Sequence, residues 1–221
     1  MGMAIETRQR MAKRAAKEIR NGMVVNLGIG IPSLVPDHLA TGLGVMFHAE
    51  NGIVGMGGTP ETGQEDENLC NAGGFPVTTL LGSSYFDSAV AFGMIRKGLI
   101  DLSILGSLQV SRKGDLANWI IPGKKVPGMG GAMELAGKAR KLIVLMSHTD
   151  RNGSPKILDE CTLPLTALQC VDMIITDMAV FTVEQEELYL KEVFAPYSLD
   201  EIASKTGCQF AIEDTVIKIE D

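Results

Sequence analysis

The sequence predicts one α/β domain over residues 1–221: a single open, mainly parallel sheet with helices on both faces and antiparallel hairpins. Three observations predict it. From residue 23 onward, short apolar runs alternate with helical stretches. The run 142–146 is continuously apolar, and 23–27 and 100–105 are mostly so, the pattern of strands covered on both faces. Glycine makes up 25 of 221 residues and gathers in short clusters between those runs, as strand-end turns require. No change of composition marks a linker, and no repeat is present.

The elements follow in order. Residues 1–20 read as a basic amphipathic helix whose apolar side, Ile5, Ala12, Ala15, Ala16 and Ile19, faces the domain, stopped at Asn21-Gly22. Glu6 and Glu18 argue against a targeting helix. A strand over 23–27 runs through a Gly28–Ser33 turn into a short helix at 33–40. A second strand covers 45–49, and a polar loop 57–76. A third strand spans 77–81, and Ser84 and Asp87 open a helix that Gly98 stops. Residues 100–105 form a strand. Residues 108–110 and 117–121 form a hairpin, followed by an irregular loop over 122–131. A helix to about residue 140 leads into a strand at 142–146. A helix near 164–171 precedes a strand at 173–176, and 179–183 with 188–193 form a second hairpin. Ser198 and Glu201 then cap a short helix that ends at Gly207.

Composition excludes several functions. Lys and Arg number 20 against 27 Asp and Glu, a net charge of −7, so the basic footprint of a nucleic-acid binder is missing. No apolar run reaches the length of a membrane helix. Four cysteines (70, 161, 170, 208) lack C-x-x-C spacing, which points to free thiols and a cytoplasmic setting. His38, His48 and His148 show no metal-ligand spacing, so no metal site is expected.

Ligands of open parallel sheets sit beyond the carboxyl ends of the strands, where the segments 28–33, 50–58 and 128–131 fall. Gly28-Ile-Gly30 does not complete a dinucleotide fingerprint, because Ser33 stands where its third glycine belongs. Glu50, at a strand end before Asn51-Gly52, reads equally as a solvated turn residue or as a functional carboxylate. A carboxylate can itself be a nucleophile. Asn26 could bond a substrate or its own turn. Trp119 reads as core, His148 as structural, and Met23, Met46, Met94, Met133 and Met146 as packing.

Six motifs in order carry a resemblance. Asn26-Leu-Gly-Ile-Gly-Ile-Pro32, Glu50-Asn-Gly-Ile-Val-Gly-Met-Gly57, Asn71-Ala-Gly-Gly74, Ala117-Asn-Trp-Ile-Ile-Pro-Gly123, Gly128-Met-Gly-Gly-Ala-Met133 and Cys161-Thr-Leu-Pro-Leu165 resemble family I CoA-transferases. Specifically, they resemble the B (beta) subunit of 3-oxoacid and short-chain fatty-acid CoA-transferases, from about residue 5 to 205. The resemblance implies an open α/β sheet and assigns the catalytic role to Glu50. It implies oxyanion donors at Gly130 and Gly131, and substrate contacts at Asn26, Gly28, Gly30, Asn51 and Gly74. His48-Ala49 replaces the family's usual Gln-Ser before the glutamate.

The implied reaction is ping-pong transfer of CoA from acetyl- or butyryl-CoA to an acid such as acetoacetate, through a glutamyl-CoA thioester. Coenzyme A is a substrate, and no tightly bound cofactor is expected. Relatives that use succinyl-CoA carry Lys at the position of Gly74, so an uncharged acyl tail is expected here. Succinyl-CoA transfer and acyl-CoA hydrolysis are the alternatives, with a sugar-phosphate isomerase or a silent acyl-CoA binder further off. The resemblance also implies a partner, the A (alpha) subunit, paired as αβ and doubled to α2β2.

Overall fold

The first helix, α1 (Ile5–Ala16), packs its Met11, Ala12 and Ala15 completely out of solvent against the sheet. The computed structural model in which it is seen describes residues 3–123 and 129–219, so Gly128 lies outside the described residues. The helix is shorter than the expected 1–20. The N–H groups of Lys17, Glu18 and Ile19 bond three residues back rather than four, which tightens the chain before Gly22 turns it with φ +83°. Arg14, also buried, donates to Glu192 (Nη2 to Oε1, 2.7 Å) and pins the helix to a distant strand.

Strand β1 (Val24–Leu27) leads into a 3-10 helix over Ile31–His38, the expected short helix. Pro36, inside the helix, lacks the N–H an α-helix needs there, whereas Pro32 sits in the first turn, where none is used. Strand β2 (Met46–Ala49) turns at Glu50–Gly52 into β3 (Ile53–Met56), an antiparallel partner that the sequence pattern does not reveal. Strand β4 (Thr79–Tyr85) pairs with β3. It runs further than the expected 77–81, and Ser84 is therefore a strand residue opposite Val54 rather than a helix start. The cap of α2 (Ser88–Arg96) is Asp87, whose Oδ1 accepts the Val90 N–H at 2.9 Å.

The chain continues through β5 (Leu102–Gly106), β6 (Gln109–Ser111), β7 (Leu116–Ala117), α3 (Ala132–Lys138), β8 (Leu142–Leu145) and β9 (Ile157–Leu158). It ends with β10 (Met173–Ile175), β11 (Ala179–Glu184), β12 (Glu187–Phe194), α4 (Leu199–Lys205) and β13 (Ala211–Ile219). The last strand is an addition to the expected elements. The expected helix at 164–171 is absent, because its backbone is tied to a neighbouring segment: Thr166 N–H to the Leu116 carbonyl, Gln169 N–H to the Asp115 carboxylate, Cys170 N–H to the Gly114 carbonyl.

Among the described residues ten strands form one sheet in the order β13-β12-β11-β10-β8-β5-β1-β2-β3-β4. The central five, β10 to β2, are all parallel, with antiparallel strands on both flanks. The hairpin β6–β7 does not join it. It forms a small three-stranded sheet with β9.

Side chains of the central strands alternate between two cores. Leu102, Ile104, Ile143, Leu145 and Ile175 face α1, while Leu142, Val144 and Ile174 pack with Ile95, Leu135 and Ile202 of α2, α3 and α4. Burial on both faces explains why these strands read as largely apolar runs. No helix of the described residues is long and apolar enough to cross a membrane.

Candidate active site

Glu50 stands at the carboxyl end of β2, on the tip of the β2–β3 hairpin. Gly52 makes that tip possible. Its φ is +122°, and a Cβ there would lie 2.1 Å from the Phe86 carbonyl oxygen, so only glycine fits. The carboxylate of Glu50 accepts a hydrogen bond from Asn26 Nδ2 at 3.2 Å. On its other side lies the backbone of Gly131. A Cβ built there would be 3.3 Å from both Cγ and Oε1 of Glu50. Residues distant in sequence, at 26, 50 and 131, thus meet at the carboxyl end of the parallel strands.

Asn26 is 1% exposed, and its amide nitrogen also faces Nδ1 and the carbonyl oxygen of His48, each at 3.2 Å. His48 is equally buried and stacks on Phe86. Burial pushes the His48 imidazole below its ordinary pKa, opposed by the Glu50 carboxylate and the Ala91 backbone. In the sequence His48 stands out only as a departure from a motif. Its contact with Asn26 depends on strand register, which places residue 48 beside residue 26.

The remaining site positions divide. Gly28 is held by its N–H to the Ile104 carbonyl at 2.8 Å, and a Cβ there would crowd Leu105. Gly30 (φ +90°) turns the chain toward the 3-10 helix. Asn51 points away, donating to the Cys70 carbonyl at 2.8 Å and tying the hairpin to the 57–76 loop. Gly74 is a turn residue (φ +78°) whose N–H bonds the Asn71 carbonyl, and it does not line the adjoining cavity. Gly130 has φ +54° with open space where a Cβ would point.

Two cavities flank the Ile29–Gly30 turn. One, of about 260 Å³, lies beside Ala49 and is walled by Leu27, Leu34, Met56, Phe75 and Val77, with Asp37 the one charged lining residue among the described residues. The other, of about 570 Å³, opens along the ends of β5 and β8 and brings together Arg8, Arg151 and Lys156 with Asp150 and Asp177. Burial pushes the Lys156 ammonium down to about 8, with Asp177 and Asp150 opposing. Nothing in the spacing of these residues links them, because 8, 151 and 156 come together only in the fold.

Trp119 is not core. It is half-buried and donates its indole N–H to the Leu165 carbonyl at 3.3 Å. Met133 is 49% exposed, against the expected packing role. His148 is fully buried between the hydroxyls of Thr176 and Thr206, at 3.0 Å each. Among the described residues, no three His, Cys, Asp or Glu side chains gather to hold a metal ion.

Known proteins share this sequence and this fold. The family model described as "Coenzyme A transferase" matches residues 8–205. The chain is 57% identical over 213 residues to the beta chain of a probable coenzyme A transferase of Bacillus subtilis, covering 96% of this chain and 98% of that protein. It is 47% identical over 205 residues to the B subunit of the succinyl-CoA:3-ketoacid coenzyme A transferase of Helicobacter pylori, covering 93% and 99%. The human mitochondrial succinyl-CoA:3-ketoacid coenzyme A transferase 2 is 47% identical over 213 residues, which cover 96% of this chain and 41% of that longer protein. Among solved structures, an acyl-CoA transferase of Escherichia coli O157:H7 in a thioester complex with CoA superposes with a TM-score of 0.76 at 22% identity. It covers 96% of this chain, which spans less than half (43%) of that one. Glutaconate coenzyme A-transferase of Acidaminococcus fermentans gives a TM-score of 0.76 at 16% identity, covering 97% and 88%. At such identities the two structures speak to the fold.

Proposed function

The chain belongs to the coenzyme A transferase family, and from that premise we propose that it is the B subunit of a two-polypeptide enzyme. This enzyme moves CoA from acetyl- or butyryl-CoA to a carboxylic acid such as acetoacetate, with Glu50 as nucleophile. The observation that carries the reading is the setting of Glu50, aimed by Asn26 and backed by the Gly131 backbone at the carboxyl end of the sheet.

The reaction balances without an external energy source, since one thioester is exchanged for another. The Glu50 carboxylate attacks the thioester carbonyl, giving a mixed anhydride and releasing CoA thiolate. The thiolate attacks the Glu50 carbonyl, expels the first acid as carboxylate and leaves a glutamyl-CoA thioester. The acceptor carboxylate then attacks that thioester, forming a second anhydride and freeing the thiolate, which attacks the new acyl carbonyl and returns Glu50. Each tetrahedral oxyanion needs donors, a role that falls to the N–H groups of Gly130 and Gly131; losing one such donor typically costs ~2.7–4 kcal/mol.

A carboxylate is a weak nucleophile in water, and holding it against the carbonyl can be worth ~7–11 kcal/mol. The Asn26 hydrogen bond supplies part of that orientation. Closing a second polypeptide over the site would keep water from the anhydride. The partner is an A subunit, a reading supported by the relatives' names for their separate chains and by the human protein, which is longer than this chain. We place the assembly in the cytoplasm as α2β2, the closed symmetric form.

An uncharged acyl tail suits the cavity beside Ala49, whose lining includes Asp37 and, among the described residues, no Lys or Arg. Burying a second carboxylate there without a partner is costly. Succinyl-CoA is the second reading, favoured by the names of relatives near 47–48% identity and by Arg8, Arg151 and Lys156 in the neighbouring cavity. Comparing kcat/KM for acetyl-, butyryl- and succinyl-CoA with acetoacetate decides between them. Mass spectrometry of the chain after incubation with its partner and acyl-CoA tests the mechanism. A CoA adduct on Glu50 supports it, and thiol release without an acceptor acid would point to hydrolysis.

A further inference from the structure

We propose that His48 is a positioning residue for the Glu50 carboxylate, acting through Asn26, and that a buried polar row of His48, Asn26 and Ser103 is kept for this purpose. The inference rests on Glu50 as nucleophile.

The row follows from register. His48 on β2 lies opposite Asn26 on β1, and Asn26 lies opposite Ser103 on β5. Three neighbouring parallel strands therefore present polar side chains side by side on one face. Their exposures are 1%, 1% and 0%. Two of them leave a buried polar atom without a hydrogen-bond partner among the described residues, Oδ1 of Asn26 and Oγ of Ser103, while the His48 ring also bonds the Ala91 backbone. Such an atom typically costs ~1–3 kcal/mol. Two residues along on the same face, Val24 and Leu105 pack with the second apolar core, so an apolar row would be the cheaper choice. Three buried polar side chains in a row beside the nucleophile, two of them with an unpaired atom, mark function rather than packing.

The geometry states what the row does. The Asn26 amide nitrogen has two protons and three acceptors around it: His48 Nδ1, the His48 carbonyl and Glu50 Oε2, all at 3.2 Å. Turning the amide over would set its oxygen against those three acceptors. Only one orientation survives, with N–H toward Glu50. For Nδ1 to accept, the His48 ring must be neutral with its proton on Nε2. The Phe86 ring, stacked 6.2 Å away and 23° from parallel, fixes the imidazole plane. His48 thus sets Asn26, and Asn26 sets Glu50.

The test is a double-mutant cycle in the assembled transferase, with His48→Phe, which keeps the ring against Phe86 but loses the acceptor, and Asn26→Ala. His48→Phe should lower kcat about tenfold, the scale of one hydrogen bond, with KM for both substrates unchanged and a melting temperature equal to or above wild type. Combined with Asn26→Ala it should cost nothing further, since the route through Asn26 is already gone. His48→Gln, whose amide oxygen can accept, should restore most of kcat. Additive losses in the double variant, a wild-type kcat for His48→Phe, or no rescue by Gln would overturn the proposal. So would failure of both His48→Phe and His48→Leu to fold, which would make the ring a core residue. Glu50→Gln, run alongside, separates the two readings. Full activity there removes the nucleophile assignment itself, whereas an inactive Glu50→Gln with a fully active His48→Phe removes only the role of His48.

Discussion

Asn26 donates to Glu50 across 3.2 Å, joining the middle of one parallel strand to the hairpin tip that follows its neighbour. The contact holds one carboxylate oxygen of Glu50. The other, Oε1, faces Gly131, where a Cβ would lie 3.3 Å away. The carboxylate is therefore oriented from the sheet side and open toward a glycine loop, as a nucleophile that must meet a thioester would need.

Glu50→Gln should abolish CoA transfer, with a loss on the order of 10⁶-fold in kcat, the scale of nucleophile removal elsewhere. The amide can still accept from Asn26, so the fold should stay intact. Acetoacetate-dependent exchange, assayed on protein free of deamidated Gln, checks it alongside circular dichroism.

Gly131→Ala should slow transfer without disturbing stability. Gly131 has φ −79°, which alanine adopts freely, but the added methyl would press on Cγ and Oε1 of Glu50 at 3.3 Å. Gly130→Ala should do the reverse in part. It meets open space, but φ +54° is unfavourable to a Cβ and costs roughly 1–2 kcal/mol. Melting temperature and kcat, measured on both variants, should move in opposite order.

Stability should fall in mild acid, and His148 should contribute. Burial between Thr176 and Thr206 pushes its imidazole down to about 4, with the Asp177 carboxylate opposing. The folded value lies below the unfolded one, so as pH drops the unfolded chain takes up the proton first. The native state is undiminished above the unfolded value, near ~6.5, and loses ground down to about 4, by ~3 kcal/mol in all. Urea midpoints at pH 7.5, 6 and 5 for the wild type and His148→Gln should converge toward the acid end. A constant difference would remove His148 from the acid response.

Thiol labelling of the native isolated chain should reach Cys70 first. Cys70 is exposed, whereas burial pushes Cys161, Cys170 and Cys208 up to about 12. The thiolate is the reacting species, so those three should stay slow until the chain is unfolded. Iodoacetamide modification followed by peptide mapping reads the order.

The sequence by itself determined the alternation of strand and helix and the central parallel strands, because burial on both faces leaves an apolar signature, unbroken at 142–145 and interrupted by Ser103 at 102–106. It also placed Glu50 on a turn, since Asn51-Gly52 after a strand permits little else. Local signals failed where tertiary bonds outcompeted them. Ser84 had the chemistry of a helix cap but pairs with Val54 in a strand, and residues 164–171 gave their N–H groups to the 114–116 segment instead of to a helix. β3, broken by Gly55, and β13, at the sheet edge, carry patterns too weak to read alone. What only the tertiary structure decided is the company Glu50 keeps. Register sets Asn26 beside His48 and Ser103, and the chain's return brings Gly131 against the carboxylate. Neither contact has a spacing in sequence, because each depends on which strands lie next to one another and on how far each is slid along its neighbour.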